Sequence, residues 1–451
     1  MIFLLQLFVI FCFIIVIIAL FREKTDFLAY SVLAMLAAAT ATYLFSPDPI
    51  SLEDFFQAID WTVIFFLISM FTIVAILEDK HIFNEIALRI TKKFNTNTRQ
   101  FFWVICLIST FSAAFIEDIS VAVIFIPMII NTSEKLKINP TPILMGMTIC
   151  INLAATLTPF GSAQNILIAD KFQLTSIWFF VNLGLYFIIG AFITLFLLDK
   201  LFLKKHLKEI WIPHCSEYEE PLNQKTVREH ELIIIEESIN SKVFYKNLVA
   251  LLILFALLII IPNILFVGLL GMLIFVFINP RLKESGRKQP AISHYLKKVD
   301  FKLIFFFICL FILVYCFEIT GIIVIIEEFM NFIAPEQIFL LSIFILVFTS
   351  ILSGFLDNVP VTVIFIPIIN VLVSSGFSAT PLLIAFILGI NLGGNFLPQG
   401  SAADMMTLEL SSKYCVDGMN YKRLLKVGGL FALFHIILGI SYLAIITFFF
   451  Y

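Results

Sequence analysis

The chain has 451 residues, is 61% hydrophobic and 14% charged, and carries a formal net charge of −3. Soluble domains carry about 25% charge, so this balance excludes an ordinary soluble enzyme or a nucleic-acid binder. Many apolar runs approach the ~20 residues of a membrane helix, which makes the chain an all-α polytopic membrane protein.

In chain order, residues 2–21 form an apolar run with no basic residue before it and Arg22 and Lys24 after it, unlike a cleaved signal. Full spans are expected near 3–21, 26–45, 60–78, 141–170, 175–198, 243–262, 264–279, 301–318, 379–412 and 427–449, about ten in all. Residues 82–94 place Phe83, Ile86, Ala87, Ile90 and Phe94 on one helical face and Arg89, Lys92 and Lys93 elsewhere. That pattern predicts an amphipathic helix lying on the inner surface. Segment 199–242 is rich in Lys and Glu and reads as a solvated linker between the halves 1–198 and 243–451. The seven cysteines show no paired spacing, so neither a disulfide nor a metal framework is expected. Threading the chain alternately across the bilayer puts 28 of the 29 Lys and Arg residues on one side, with Lys171 the exception. The positive-inside rule then places both termini outside and the linker in the cytoplasm.

One stretch occurs twice. Phe115-Ile-Glu-Asp-Ile-Ser-Val-Ala-Val-Ile-Phe-Ile-Pro returns as Phe355-Leu-Asp-Asn-Val-Pro-Val-Thr-Val-Ile-Phe-Ile-Pro, at an offset of 240. The repetition extends outward: Asp60 answers to Asp300 and Glu78 to Glu318 at the same offset. Ile151-Asn-Leu-Ala-Ala-Thr-Leu-Thr-Pro-Phe-Gly-Ser-Ala-Gln-Asn165 answers to Ile390-Asn-Leu-Gly-Gly-Asn-Phe-Leu-Pro-Gln-Gly-Ser-Ala-Ala-Asp404 at an offset of 239. Each half holds five spans and one pair of arms, near 100–132 and 337–374. An odd number of spans makes the second half enter the membrane inverted, the plan of secondary transporters. The apolar part of the first second arm is only about ten residues, roughly 15 Å of helix. Pro127 and Pro367 also lie inside these arms, so both pairs are expected to be re-entrant hairpins with tips near the bilayer midplane.

Pro159-Phe-Gly161 and Pro398-Gln-Gly400 sit within apolar spans and should break each into two half-helices. Ser162 and Ser401 then stand where helix N-caps belong. Half-helices starting near Ser120, Ser162, Pro360 and Ser401 should converge, their N–H groups suited to an anion and the freed carbonyls opposite suited to Na⁺. Gln164, Asn165, Asn395 and Gln399 add polar groups. Glu117, Asp118, Asp357 and Asp404 add carboxylates with no Lys or Arg in the motifs to balance them, so each must be protonated or paired with a cation. No His-Glu-x-x-His motif is present, and an intramembrane enzyme is not indicated. A channel is the competing class, distinguished by flux that is neither saturable nor coupled.

The two hairpins, the Leu-Asp-Asn-Val-Pro turn at 356–360 and the paired Thr-Pro-Phe-Gly-Ser and Leu-Pro-Gln-Gly-Ser breaks resemble the ion-transporter superfamily. That group holds citrate and dicarboxylate permeases, arsenite-efflux permeases and one class of sodium/proton antiporters. The resemblance implies an elevator-type secondary transporter of a small anion, or of its neutral acid, in the cell membrane and usually a homodimer. It implies no cofactor beyond Na⁺ or H⁺ as coupling ion. By position it carries site roles to Asp118, Ser120, Ser162, Asn165, Asn358, Ser401 and Asp404. The dicarboxylate branch shows Ser-Asn-Thr at its hairpin tips. Glu117-Asp-Ile-Ser120 and Asp357-Asn-Val-Pro360 depart from it, toward the arsenite and sodium/proton branches.

Overall fold

The protein is described here by a computed structural model covering residues 2–20, 26–47, 49–94, 97–204, 240–261, 263–282, 288–325, 328, 337–356, 358–416 and 418–450. Most of the linker and Asp357 therefore lie outside the described residues. The described residues are helical almost throughout. A two-residue antiparallel ladder, β1 (Arg281–Leu282) with β2 (Lys288–Gln289), is their strand content.

Two apolar helices, α1 (Ile2–Leu20) and α2 (Phe27–Phe45), precede the short α3 (Leu52–Gln57), which begins in a capping box between Ser51 and Asp54. Then α4 (Trp61–Asp79) starts at Asp60, whose carboxylate accepts from the Val63 N–H. Its counterpart α14 (Phe301–Ile319) starts the same way, with Asp300 accepting from Leu303 N–H. Apart from α5, the element order after each is alike among the described residues. In the first half come α5 (Ile82–Phe94), the arms α6 (Thr98–Ala113) and α7 (Asp118–Leu136), the half-helices α8 (Thr141–Ala154) and α9 (Ala163–Lys171), and α10 (Ser176–Leu198). The second half opens with α11 (Ser241–Ile260), α12 (Ile264–Ile278) and the short α13 (Ile292–Leu296). In the second half α15 (Ile338–Phe355) and α16 (Asn358–Ser374) are the arms, α17 (Ala379–Gly393) and α18 (Ala402–Lys413) the half-helices, and α19 (Tyr421–Phe450) the closing span.

Among the described residues nine helices are long and apolar enough to cross a membrane. They differ from the sequence expectation in an instructive way. The broken spans do not qualify, because α8 and α17 stop short at their breaks, and neither does α12, which has 15 residues. The arms α7 and α15 do qualify. The second arms are longer than expected: α7 has 19 residues and α16 has 17, about 29 and 26 Å of helix. Pro127 and Pro367 lie inside them without ending them. Protein covers both arms, and α7 buries Phe125, Ile126, Ile129 and Ile130. A proline's lost hydrogen bond is tolerated where neighbouring helices surround it.

One further feature adds to the sequence expectation and another corrects it. Helix α5 does form, with Ile82 and Phe83 buried in protein, and Arg89 joins Glu85 at 2.8 Å and lies 4.0 Å over the Phe244 ring of α11. Arg89 thus has a protein partner that helical periodicity does not display. Cys415 is disulfide-bonded, although no spacing in the sequence announced a pair. The other described cysteines, Cys12, Cys106, Cys150, Cys309 and Cys316, are unpaired thiols in the apolar interior.

Candidate substrate and ion site

Each helix break is seated on a hairpin tip by the same device. A Cβ on Gly161 would stand 2.7 Å from the Ala113 carbonyl oxygen and 2.9 Å from that of Ala114. A Cβ on Gly400 would stand 2.8 and 2.9 Å from the carbonyl oxygens of Ser353 and Gly354. Only glycine lets the backbone of the break lie against the carbonyl end of the incoming arm. On the first side the Thr158 hydroxyl donates to the Ala114 carbonyl and accepts from the Gly161 N–H at 3.1 Å. On the second, Ser353 donates to the Ile390 carbonyl at 2.6 Å. Asn358 there, with its amide oriented to satisfy its neighbours, donates to the Gly400 carbonyl at 3.0 Å and accepts from Gln164 at 3.2 Å. The tip of the second hairpin is thereby tied to both breaks.

The breaks are then bridged by two asparagines. Asn152, near the end of α8, donates to Asn395 Oδ1 at 2.7 Å and to Asp404 Oδ1 at 3.3 Å, and accepts from Ser401 Oγ at 2.8 Å. Asn391, its positional equivalent in α17, accepts from Gln164 at 2.9 Å and from Ser162 at 3.5 Å, and donates to Asn165 Oδ1 at 2.9 Å. Each asparagine thus reaches into the break of the other half. Farther along, Thr148 and Thr407 meet at 2.6 Å. All these groups are buried, Asp404 to 1% exposure and Asn165 to none. No ion pair reaches Asp404 among the described residues, so its burial is met by amide and hydroxyl dipoles.

Ser162 and Ser401 occupy the N-cap positions of α9 and α18, as expected, but neither side chain caps its helix. Both hydroxyls turn to the opposite asparagine instead, which leaves first-turn N–H groups of two half-helices uncapped at the centre of the protein. The structure brings together Ser162, Asn165, Asn395, Ser401 and Asp404, with Asn358 joined through Gln164. It does not bring Glu117 and Ser120 into that network. They line a separate cavity of about 140 Å³ with Glu78, Lys298 and Asp300. Asp118 stands in the first turn of α7 and Glu117 at its N-cap. Asp357 lies outside the described residues. Asn152 and Asn391, the hubs of the network, were not singled out from sequence. Their signal was an amide at the same place in both repeats, within Ile-Asn-Leu and an otherwise apolar run.

With the geometry in place, comparisons with known proteins decide the family. The citrate transporter family profile matches residues 11–389. The chain belongs to the citrate transporter family. The match ends just before the second break, so Asp404 lies beyond it. Among its relatives, a 46 kDa membrane protein of Mycobacterium leprae is 27% identical over 83% of this chain and 85% of its own length. An uncharacterized transporter of Methanocaldococcus jannaschii is 25% identical over 86% of this chain and 91% of its own. Among solved structures, the YdaH transporter of Alcanivorax borkumensis superposes with a TM-score of 0.63 at 10% identity, covering 94% of this chain and 98% of that one. MtrF of Neisseria gonorrhoeae gives 0.57 at 13% identity, with 94% of each chain covered. These likenesses show a shared fold. The protein is a multi-pass membrane transporter of this family.

Proposed function

We propose that the protein is a secondary active transporter that moves a small anion, or its neutral acid, coupled to H⁺ or Na⁺, with Asp404 as the coupling carboxylate. The observation that carries this reading is Asp404 itself: a carboxylate 1% exposed, between two helix breaks, facing Asn152 and without a basic partner among the described residues. A buried carboxylate in that setting is either protonated or neutralised by a cation, and exchange between those conditions is what coupling requires. Uncapped N–H groups at α9 and α18 supply the complementary anion ligand. Movement of the hairpins and broken helices against α4 and α14 is the alternating-access step, and the family resemblance supports a homodimer.

A sodium/proton antiporter is the second reading. It is favoured by the lining of the bridged breaks, where the hydrogen-bonding side chains are amides, hydroxyls and one carboxylate and none is basic. The test is a proteoliposome assay in which Na⁺ and pH gradients are imposed separately, with uptake of citrate, other carboxylates and arsenite followed alongside internal pH. Uptake driven by either gradient and lost in Asp404→Asn supports the first reading. Na⁺/H⁺ exchange with no solute flux selects the second. Solute flux indifferent to both gradients would sink the coupling role of Asp404.

A further inference from the structure

From the contact between Asn152 and Asp404, a line of buried hydroxyls leads away from the breaks. Asn152 of α8 meets Asp404 of α18, and Thr148 meets Thr407. The contacts step back along α8 as they step forward along α18, so the two half-helices run antiparallel. Both lead toward the basic face, where Lys413 ends α18 and Lys135 ends the neighbouring α7. Asp404, Thr407 and Ser411 lie three and seven residues apart and share one face of α18. Asn152, Thr148 and Thr141 lie four and eleven residues apart and share one face of α8. Thr141, Thr148, Thr407 and Ser411 have no exposed surface.

The hydrogen bonds along this line are incomplete. Thr407 donates to the Ala403 carbonyl at 2.8 Å, so Thr148 is the donor in its 2.6 Å contact with Thr407. The hydroxyls of Ser411 and Thr141 have no partner, although both are fully buried. Ser133, on α7 packed against α18, is in the same condition. Buried hydroxyls without a partner are costly and uncommon. At the end of the line a Cβ on Gly418 would collide with the Thr141 hydroxyl, so glycine lets the turn after α18 lie over it.

The sealed break carries no such line. At the equivalent positions Ile387 replaces Thr148, Ile168 replaces Thr407 and Phe172 replaces Ser411. Thr380, equivalent to Thr141, is the one hydroxyl kept, and it is partly exposed. The same seam is therefore built once from apolar side chains and once from hydroxyls. The hydroxyls accompany the carboxylate and not the fold.

We propose that the seam between α8 and α18 is a proton path joining Asp404 to the basic face, formed by Thr407, Thr148, Ser411 and Thr141 with water bonded to the last two. Steps from 404 to 407 and from 407 to 411 rise about 4.5 and 6 Å, one helical turn or less. A hydroxyl can donate one bond and accept two, which lets it pass a proton on, and buried water bridges such groups. In each passage the Asp404 carboxyl gives up its proton and is left a carboxylate. Each oxygen along the line accepts one proton and releases another, and one proton enters water beyond Thr141. Only O–H bonds break and form, and the return runs in reverse. The inference rests on the reading of Asp404 as the coupling carboxylate and assigns H⁺ as the ion it exchanges with this face. Ionisable residues on the helices packed against α18 are Cys150 of α8 and Glu117, Asp118, Glu134 and Lys135 of α7; Glu409 and Lys413 lie on α18 itself.

The experiment is infrared difference spectroscopy of the full-length protein in lipid after a rapid pH jump. It follows the protonated-carboxyl band that is missing from Asp404→Asn. In the double variant Thr148→Val with Thr407→Val, and separately in Thr141→Val, the band should appear at least about tenfold more slowly, a barrier about 1.4 kcal/mol higher. Its pH midpoint and the thermal stability should stay near native. Thr141 is eleven residues from Asn152, about 16 Å along the helix, so it does not act by touching the acid. Thr110→Val, which removes a buried hydroxyl of α6 outside the seam, should leave the rate unchanged. Should the double variant fail to fold, Thr148→Val alone leaves Thr407 bonded to Ala403 and carries the same expectation. A native rate in either Thr148→Val or Thr141→Val would overturn the path while the Asp404 band, and the coupling reading with it, still stands. No Asp404 band at any pH between about 4 and 9 would remove the coupling reading and the path together.

Discussion

The two helix breaks are near copies in backbone and unlike in charge. Both rest a glycine on the carbonyl end of a hairpin arm, and both receive an asparagine from the opposite half. At one position they part. Asn165 has its amide nitrogen bonded to the carbonyls of Ala155 and Thr158, closing its own break from within. Asp404, the equivalent residue, has no N–H to give; it accepts from Asn152 and leaves the carbonyls of its break to other partners. The repeated scaffold therefore holds one sealed break and one open to a cation or a proton. The comparison separates what the fold needs twice from what it holds once, a buried carboxylate.

The sharpest way to break this comparison is to attack what the copies share. Gly161→Ala and Gly400→Ala each drive a methyl into backbone oxygens that cannot step aside. Overpacking of this kind costs about 1–3 kcal/mol or more. Both variants are expected to lose flux, with similar falls in thermal stability in detergent. A clear inequality, with one variant near wild type, would mean that the two seats do not do the same job.

A smaller and more discriminating effect is expected at the hubs. Asn152→Ala and Asn391→Ala each strand buried polar groups, at about 1–3 kcal/mol for each group left unsatisfied. Stability should fall by comparable amounts in both. The pH and Na⁺ dependence of flux should change in Asn152→Ala alone, because only that asparagine touches Asp404. Initial rates measured across pH at two Na⁺ concentrations separate the outcomes, and altered dependence in Asn391→Ala would erase the distinction between the breaks. A structural control is available away from the site. Arg99 bonds the buried Asp199 at 2.6 Å beside the Trp103 indole N–H. Arg99→Ala should lower stability by about 1–3 kcal/mol while leaving the pH profile unchanged.

Much of this architecture was legible because the membrane restricts what a chain can do. Interrupted apolar runs at 159–161 and 398–400 had to be breaks, and an acid at 404 within one of them stood out as a site candidate by the cost of burying it. The hubs were less legible. Asn152 and Asn391 sit in the last turns of apolar helices between an isoleucine and a leucine, and their partners lie more than two hundred residues away. Repeat position hinted at them, but only packing of one half on the other gives them work. Arm length misled for a similar reason. Polar residues such as Asn131, Thr132 and Ser133 looked like the end of an apolar helix, yet protein buries them and the helix runs on to Leu136. The hairpin acids show the reverse case: Glu117 is conspicuous in sequence and stands in a cavity apart from the network.

The finest test is to give the sealed break the residue of the open one. In Asn165→Asp the side chain still accepts from Asn391 Nδ2, at 2.9 Å in the native protein. The two bonds to the Ala155 and Thr158 carbonyls are lost if the new acid is ionised, and three acceptors would then face one another without a donor. A protonated acid offers one O–H and restores one of the two bonds. Asn165→Asp should therefore fold and transport close to the native rate in acid, then lose both stability and flux as pH rises and the side chain is driven to ionise. The sign is opposite to that of a carboxylate held by a basic partner, which gains from higher pH. Asp404 in the same protein provides the internal reference, since the proposed coupling role has it cycle between charged and neutral forms. Thermal stability and initial flux at matched pH values, compared between Asn165→Asp and the native chain, decide the matter. A variant equally stable at all pH values would mean that Asn165 does not seal its break, and that the two breaks differ in something other than this one amide.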